Sequence, residues 1–170
     1  TAERRSGASE YVHTFVYDSV GNRTLKNQDG ARATFSYDAA HQLQTAVDSL
    51  GVTTYVFDAA GNERLVKPPS GIRTTNTWDF ENQNRLVELA AGNVEYTYNA
   101  DLMRVAEDVL GTAKTLVWDE QNVIAEFEAA GTPTARYTLE PHQYGNLVSQ
   151  RRSAASVFHQ FDAIGSTTEL

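Results

Sequence analysis

Aspartates that recur at nearly constant steps are the residues of this chain whose type and spacing could support chemistry. The anchor positions are 18, 38, 58, 79, 99 and 119, all aspartate except Asn99, so the steps are 20, 20, 21, 20 and 20 residues. Carboxylates can ligate calcium, but that ion needs about six to eight oxygens at one point. Carboxylates placed once per repeat line up along an edge and do not converge, so the spacing favours turn capping over a metal site.

Each anchor belongs to a motif that predicts a tight turn. An aromatic residue precedes the aspartate, and a residue that tolerates a positive φ follows three positions later, as in the segment 17–21. Aspartate suits the first position of a type I turn, and glycine at the fourth closes a hairpin loop with a bulge. Leu102 departs from this pattern, so we expect another geometry for the turn after Asn99. The motif residues are Tyr17, Asp18, Gly21, Tyr37, Asp38, Phe57, Asp58, Gly61, Trp78, Asp79, Tyr98, Asn99, Trp118, Asp119, Phe161, Asp162 and Gly165, and Glu140 is a further anchor.

The residues between the turns predict paired strands. Positions one and three before the anchors hold twelve of the seventeen aromatic residues, and a spacing of two puts both rings on one face of a strand. Glycines between the anchors, such as Gly30 and Gly51, reverse the chain again. No stretch has helical periodicity. We therefore predict an all-β chain of hairpins that repeat every 20–22 residues or so, with about sixteen strands in one curved or spiralling antiparallel sheet.

The aromatic residues that directly precede the anchors, called here the ring slots, are the predicted core. We expect the rings before the anchors to be largely buried on an inward face. Two tryptophans in these slots could instead form a stacking platform for sugar rings, but the repeat needs a large flat apolar group there, which favours the core. The ring slots hold Tyr17, Tyr37, Phe57, Trp78, Tyr98 and Trp118. Aromatic residues outside the slots, such as Phe80 in its turn, are better candidates for exposed contacts.

Composition argues against several classes of function. The net charge is −8 and the fourteen Lys and Arg are scattered, so no basic stripe for nucleic acid is present. The chain has no cysteine, which rules out a disulfide or a thiol nucleophile. We find no apolar run long enough for a membrane span, no phosphate loop and no nucleophile elbow. We expect no catalysis, no cofactor and no metal, although a hydrolase remains a third alternative because catalytic groups meet only in space.

Four segments resemble the YD repeats of the RHS (rearrangement hot spot) proteins. Residues 118–127, WDEQNVIAEF, are similar to the family's YDGQNVIAEYD, and residues 135–141, ARYTLEP, to its ARYVYGP. Residues 158–167, FHQFDAIGST, resemble YYHTDALGST, and residues 98–105, YNADLMRV, resemble YNADGMRV with leucine in place of glycine. The resemblance extends over residues 11 to 170 or so and places the chain in the C-terminal part of the repeat core.

The resemblance implies a structural role outside the cell. RHS proteins are large, secreted or surface-displayed, and their hairpins spiral into a hollow shell that encloses or displays another domain. Some members cleave themselves near an Asp-Pro motif, which this chain lacks. The expected partners are the rest of the parent shell and its attached domain. An extracellular carbohydrate-binding or other ligand-binding module is the alternative.

The ends of the chain carry a separate expectation. We expect one array over residues 1–170 that is truncated from a larger protein at both ends. Strands at a cut edge expose unpaired backbone groups. Self-association or fraying is therefore expected near residues 1–12 and 160–170.

Overall fold

The fold is all-β in the part of the chain that the structure describes. The computed structural model describes residues 2–5, 11–141, 143–161 and 167–169. These residues form eighteen strands, and none of them lies in a helix. The strands are β1 (Ala2–Arg5), β2 (Tyr11–Tyr17), β3 (Arg23–Gln28), β4 (Ala31–Tyr37), β5 (Leu43–Asp48), β6 (Gly51–Phe57), β7 (Glu63–Lys67), β8 (Thr74–Trp78), β9 (Asn84–Leu89), β10 (Gly92–Tyr98), β11 (Arg104–Val109), β12 (Thr112–Asp119), β13 (Asn122–Glu128), β14 (Pro133–Leu139), β15 (Leu147–Arg152), β16 (Ala155–Phe158), β17 (Gln160–Phe161) and β18 (Thr167–Glu169).

The chain divides into two compact units, residues 1–92 and 93–170. In the first unit, β1 to β9 pair antiparallel, each with the next strand in the chain. In the second unit, β10 to β16 pair in the same way, and β17 pairs with β18. Connections between neighbouring strands are short, because hairpins join strands that pair directly. The predicted all-β meander of antiparallel hairpins is confirmed.

Two kinds of turn alternate along most of the chain. Anchor turns are followed by a bulge, and the pairing register shifts there, for example between Val16 and Tyr17. Most mid-repeat turns are tighter, such as Asp29-Gly30, where both residues have a positive φ of 50° and 93°. Such a two-residue turn matches the twist of the flanking strands. The alternation keeps the aromatic residues before successive anchors on one face, called here the ring face.

The ring face is the better covered face of both units. Register places Phe15 opposite Lys26, and Lys26 opposite Ala33, two residues before Phe35. Among the described residues, those that are buried are Val94, Leu116, Glu126 and Ala135. All four belong to the second unit and lie on its ring face, by alternation with Tyr96, Trp118 and Tyr137.

Candidate functional site: the anchor turns and the ring face

The anchor side chains cap their own turns. Oδ1 of Asp18 accepts hydrogen bonds from the backbone N–H groups of Val20 and Asn22, at 3.1 and 2.8 Å. The backbone closes the same loop, because N–H of Gly21 donates to the carbonyl of Asp18 and N–H of Asp18 donates to the carbonyl of Asn22. The same set of bonds recurs at Asp38, Asp58, Asp79 and Asn99. Since asparagine caps as aspartate does, the turn needs the side-chain oxygen and not its charge.

The capping bonds lower the pKa values of two anchor carboxylates. The backbone N–H of Asn62 and its side-chain amide, 3.1 Å from Oδ2, hold the pKa of Asp58 below its ordinary value. At Asp18, desolvation raises the pKa, but the hydrogen bonds from Asn22 and the turn backbone outweigh it and the pKa is again lowered. Both carboxylates are therefore charged in the folded chain near neutral pH.

The fourth position of each capped turn has left-handed backbone geometry, whatever its side chain. The φ angles at Gly21, His41, Gly61, Asn82 and Leu102 are 93°, 62°, 91°, 60° and 64°. The expectation that Leu102 gives its turn another geometry is therefore wrong. The repeated hydrogen bonds around Asn99 hold leucine in a region that it rarely adopts.

The structure differs from the sequence motif at Asp119. Asp119 pairs directly with Asn122 across a two-residue turn, and Glu120, not Asn122, has the positive φ of 50°. The capped-turn backbone geometry occurs instead in the following mid-repeat turn, where N–H of Gly131 donates to the carbonyl of Glu128. The two kinds of turn have exchanged places in this repeat. A count of spacing cannot detect the exchange because the total length of the repeat is unchanged.

The last two anchors are not ordinary capped turns. Glu140 closes a longer loop, with its N–H donating to the carbonyl of Asn146 and its Oε2 accepting from the Asn146 amide at 2.9 Å. Phe161 ends β17. Asp162 and Gly165 lie outside the described residues, so the prediction for that turn stays a prediction.

Side chains also connect neighbouring anchor turns. The amide of Asn62 donates to Oδ1 of Asn82 at 2.8 Å, and the amide of Asn22 lies 3.0 Å from Nδ1 of His41. In both cases the residue after one turn contacts the left-handed residue of the next turn. These bonds tie successive repeats together along the edge of the first unit.

The aromatic residues before the anchors use their polar atoms to bind backbone. Nε1 of Trp78 donates to the carbonyl of Glu63 at 2.9 Å, and the hydroxyl of Tyr37 donates to the carbonyl of Arg23 at 2.9 Å. Pairing between β3 and β4 begins only at Leu25. The carbonyl of Arg23 therefore lies outside the paired part of these two strands. A ring donor supplies the missing partner. This explains why Tyr and Trp share a slot for which hydrophobicity alone would favour Phe.

The prediction that these rings are largely buried is wrong at Tyr17, which is 50% exposed. The other five rings have most of their surface covered, although none is fully buried: Tyr37, Phe57, Trp78, Tyr98 and Trp118. A sheet face is sealed only when a second layer packs on it, and none of residues 12–92 is buried.

A line of alternating charges crosses the ring face of the second unit. Lys114 lies 2.8 Å from Glu107 and 3.6 Å from Glu126, and Glu107 also pairs with Arg104 at 3.1 Å. At the other end, Arg152 contacts Glu126 at 3.3 Å. The charge line is thus Arg104, Glu107, Lys114, Glu126 and Arg152, on β11, β12, β13 and β15. Cross-strand pairs of opposite charge stabilise a sheet.

Tyr137 on β14 completes the charge line. Its hydroxyl donates to Glu126 and accepts from Arg152 at 2.6 Å. Burial and the bond to Glu126 raise the pKa of Tyr137 to about 12. Desolvation raises the pKa of Glu126, but hydrogen bonds from Tyr137 and Arg152 outweigh it, so that pKa is lowered. Sequence reasoning missed these residues, although strand alternation places Lys114 on the face of Leu116 and Trp118.

The carboxylates and histidines of the described residues do not come together as a metal site. No group of three or more His, Asp and Glu there could hold a metal ion. No helix within those residues is long and apolar enough to cross a membrane. The polar side chains are used to cap turns and to connect neighbouring strands.

Comparison with known proteins finds a family match over part of the chain. The RHS Repeat family matches residues 17–53, which include the first two capped turns. Residues 17–53 are thus similar to an RHS repeat. The predicted resemblance to RHS proteins is thereby confirmed. No match was found among curated protein sequences.

Solved structures share the fold of this chain. The crystal structure of TcdB2-TccC3 without its hypervariable C-terminal region matches 94% of this chain with a TM-score of 0.69 and 13% identity. The crystal structure of TcdB2-TccC3-Cdc42 matches 92% with a TM-score of 0.66 and 12% identity. In both cases the matched region is 10% of the solved chain. At this identity the likeness shows the fold alone, and this chain spans about a tenth of those chains.

Proposed function

We propose that this RHS-repeat chain is a segment of the wall of a large secreted or surface-displayed protein, and that it encloses or displays another domain. The observation that carries the proposal is the recurrence of the capped turn, whose polar side chains bind their own repeat or the next one. Repeats that contact mainly their neighbours build extended surfaces. No catalytic role is proposed for the segment. Its partners are the adjoining repeats of the parent protein and the domain that they surround.

The absence of cysteine allows a direct test of enclosure. Lys26 lies on the ring face and Arg32 on the opposite face of neighbouring strands. Single Lys26→Cys and Arg32→Cys variants of the full-length parent, otherwise free of cysteine, are treated with a small maleimide and with a polymer-linked maleimide. If the ring face lines a closed interior, the small reagent labels both variants, whereas the bulky reagent labels only Arg32→Cys.

The isolated 170-residue chain provides the control for this experiment. Its two faces are both open to the bulky reagent, so both variants are labelled. Equal labelling by the bulky reagent in the full-length protein would show that the segment does not enclose anything. Labelling of Lys26→Cys alone would show that the ring face points outward.

A second candidate function is carbohydrate binding at Phe80, favoured by the complete exposure of that side chain, 104%. The equivalent position in the other capped turns holds Ser19, Ala39, Ala59 and Ala100. A groove beside Phe80 is lined by Ala59, Trp78 and Asn82. An exposed ring beside polar groups suits a sugar. Oligosaccharide titration monitored by tryptophan fluorescence tests this candidate, with Phe80→Ala as the control, and unchanged fluorescence at millimolar sugar would exclude it.

A further inference from the structure

Two arginines face each other on the side of the second unit opposite the ring face. Arg136 on β14 and Arg151 on β15 are direct cross-strand partners, and both are exposed. Like charges placed directly opposite each other in a sheet are destabilising. Within the described residues, no carboxylate forms an ion pair with either arginine, although the chain as a whole carries a net charge of −8.

The strands on either side do not compensate this charge. The next partner of Arg136 is Ala125 on β13, and the next partner of Arg151 is Ser156 on β16. Arg152 behaves differently, because it lies on the ring face and contacts Glu126 and Tyr137. The charge of Arg152 is therefore neutralised by Glu126, whereas Arg151, its neighbour in the chain, lies opposite another cation, Arg136.

The surroundings of the arginine pair are rich in hydroxyl groups. Thr138 and Ser149 form the next cross-strand pair that lies on the same face. A shallow groove includes Arg136 and Arg151 with Thr134 and Ser153. Nε of Arg151 is 3.5 Å from the carbonyl oxygen of Ser153. The two guanidinium groups carry ten N–H donors in all and face no carboxylate among the described residues, and the neighbouring hydroxyls can donate to an anion as well.

We propose that Arg136 and Arg151 form a binding site for a tetrahedral oxyanion, a phosphate or sulfate ester group carried by a ligand. Guanidinium groups bind such anions through pairs of parallel hydrogen bonds. A bound anion removes the repulsion between the two cations, and the hydroxyls of Thr138 and Ser149 supply further donors at its edge. The site lies on the face opposite the ring face, so it is independent of whether the ring face encloses a domain.

Thermal unfolding of the 170-residue chain tests the site with inorganic phosphate and inorganic sulfate, against chloride at equal ionic strength. A ligand that binds only the folded state raises the melting temperature in a saturable way. We expect both oxyanions to do so and chloride not to. Arg136→Gln and Arg151→Gln should each weaken the apparent affinity for phosphate by about tenfold or more. A phosphate monoester and a sulfate monoester then show which ester the site prefers.

The variants also give a readout that does not depend on ligand. In chloride, Arg151→Gln should melt at a higher temperature than the parent chain, because it removes a like-charge pair. Arg32→Gln is the matched control, since Arg32 is an exposed strand arginine opposite Asn27, and it should retain the full phosphate response. Equal responses to phosphate and chloride would overturn the proposal, and so would a phosphate response that survives in both Arg136→Gln and Arg151→Gln.

Discussion

Nε1 of Trp118 donates a hydrogen bond of 2.8 Å to the carbonyl oxygen of Arg104. Pairing between β11 and β12 begins only at Ala106. This carbonyl therefore lies outside the paired part of the two strands. The relationship repeats that of Trp78 with Glu63 in the first unit. An aromatic donor is thus part of the repeat itself, and it continues the hydrogen bonding of the sheet where the strands stop pairing.

Removal of this donor should destabilise the chain while the ring remains. Trp118→Phe leaves the Arg104 carbonyl without its partner, and we expect a loss of about 1 kcal/mol of unfolding free energy, plus a smaller loss from the reduced ring. Urea unfolding followed by circular dichroism measures it. Phe57→Tyr is the converse variant, which should gain stability if its hydroxyl reaches the Leu43 carbonyl. Equal stability of Trp118→Phe and the parent chain would show that the bond contributes nothing.

Replacement of Leu102 by glycine should stabilise the chain. Leu102 has a φ of 64° and is 56% exposed, so glycine relieves backbone strain and gives up little burial. The left-handed region costs an L-residue about 1–2 kcal/mol, of which the greater flexibility of unfolded glycine cancels part. We expect a net gain of about 0.5–1 kcal/mol in urea unfolding. The control is Gly61→Ala, at the equivalent position with a φ of 91°, which should destabilise.

The cap of Asp58 should make stability depend on acid pH. Its pKa in the folded chain is below the ordinary value of 3.8, so the unfolded chain binds a proton first as the pH falls. The contribution of Asp58 is full above 3.8 and is lost as the pH drops through the lower, folded pKa. Asp58→Asn keeps the capping oxygen, as Asn99 does, and should flatten this part of the curve. A pH profile of urea midpoints that is the same for both chains would contradict the assignment.

Neutralisation of Glu126 should disrupt the charge line. Glu126 is only 8% exposed, and Glu126→Gln leaves Lys114 and Arg152 without their shared carboxylate. Because both cations are partly solvated, we expect a loss of about 1–2 kcal/mol, less than for a fully buried pair. Glu128→Gln is the matched control, since Glu128 is the exposed cross-strand partner of Lys114. It should change the unfolding free energy by less than about 0.5 kcal/mol.

Much of the fold follows from local chemistry that a sequence displays. The spacing of Asp18, Asp38 and Asp58 predicts the capped turns, and the alternation of rings predicts one ring face. These features are readable because a turn or a strand constrains residues close in sequence. The exchange of turns at Asp119 was not readable, because two turns of different length can compensate each other within one repeat.

The sequence alone determined the period, the strand order and the common face of the rings before the anchors, since short turns join each strand to the next and rings two residues apart lie on one face. Only the tertiary structure decided which carbonyl each ring donor reaches, that Leu102 is held in the geometry of glycine, and that the ring face of the second unit carries ion pairs. It also decided that Arg136 faces Arg151. These relationships depend on the pairing register, and a shift of one residue would move every side chain to the other face.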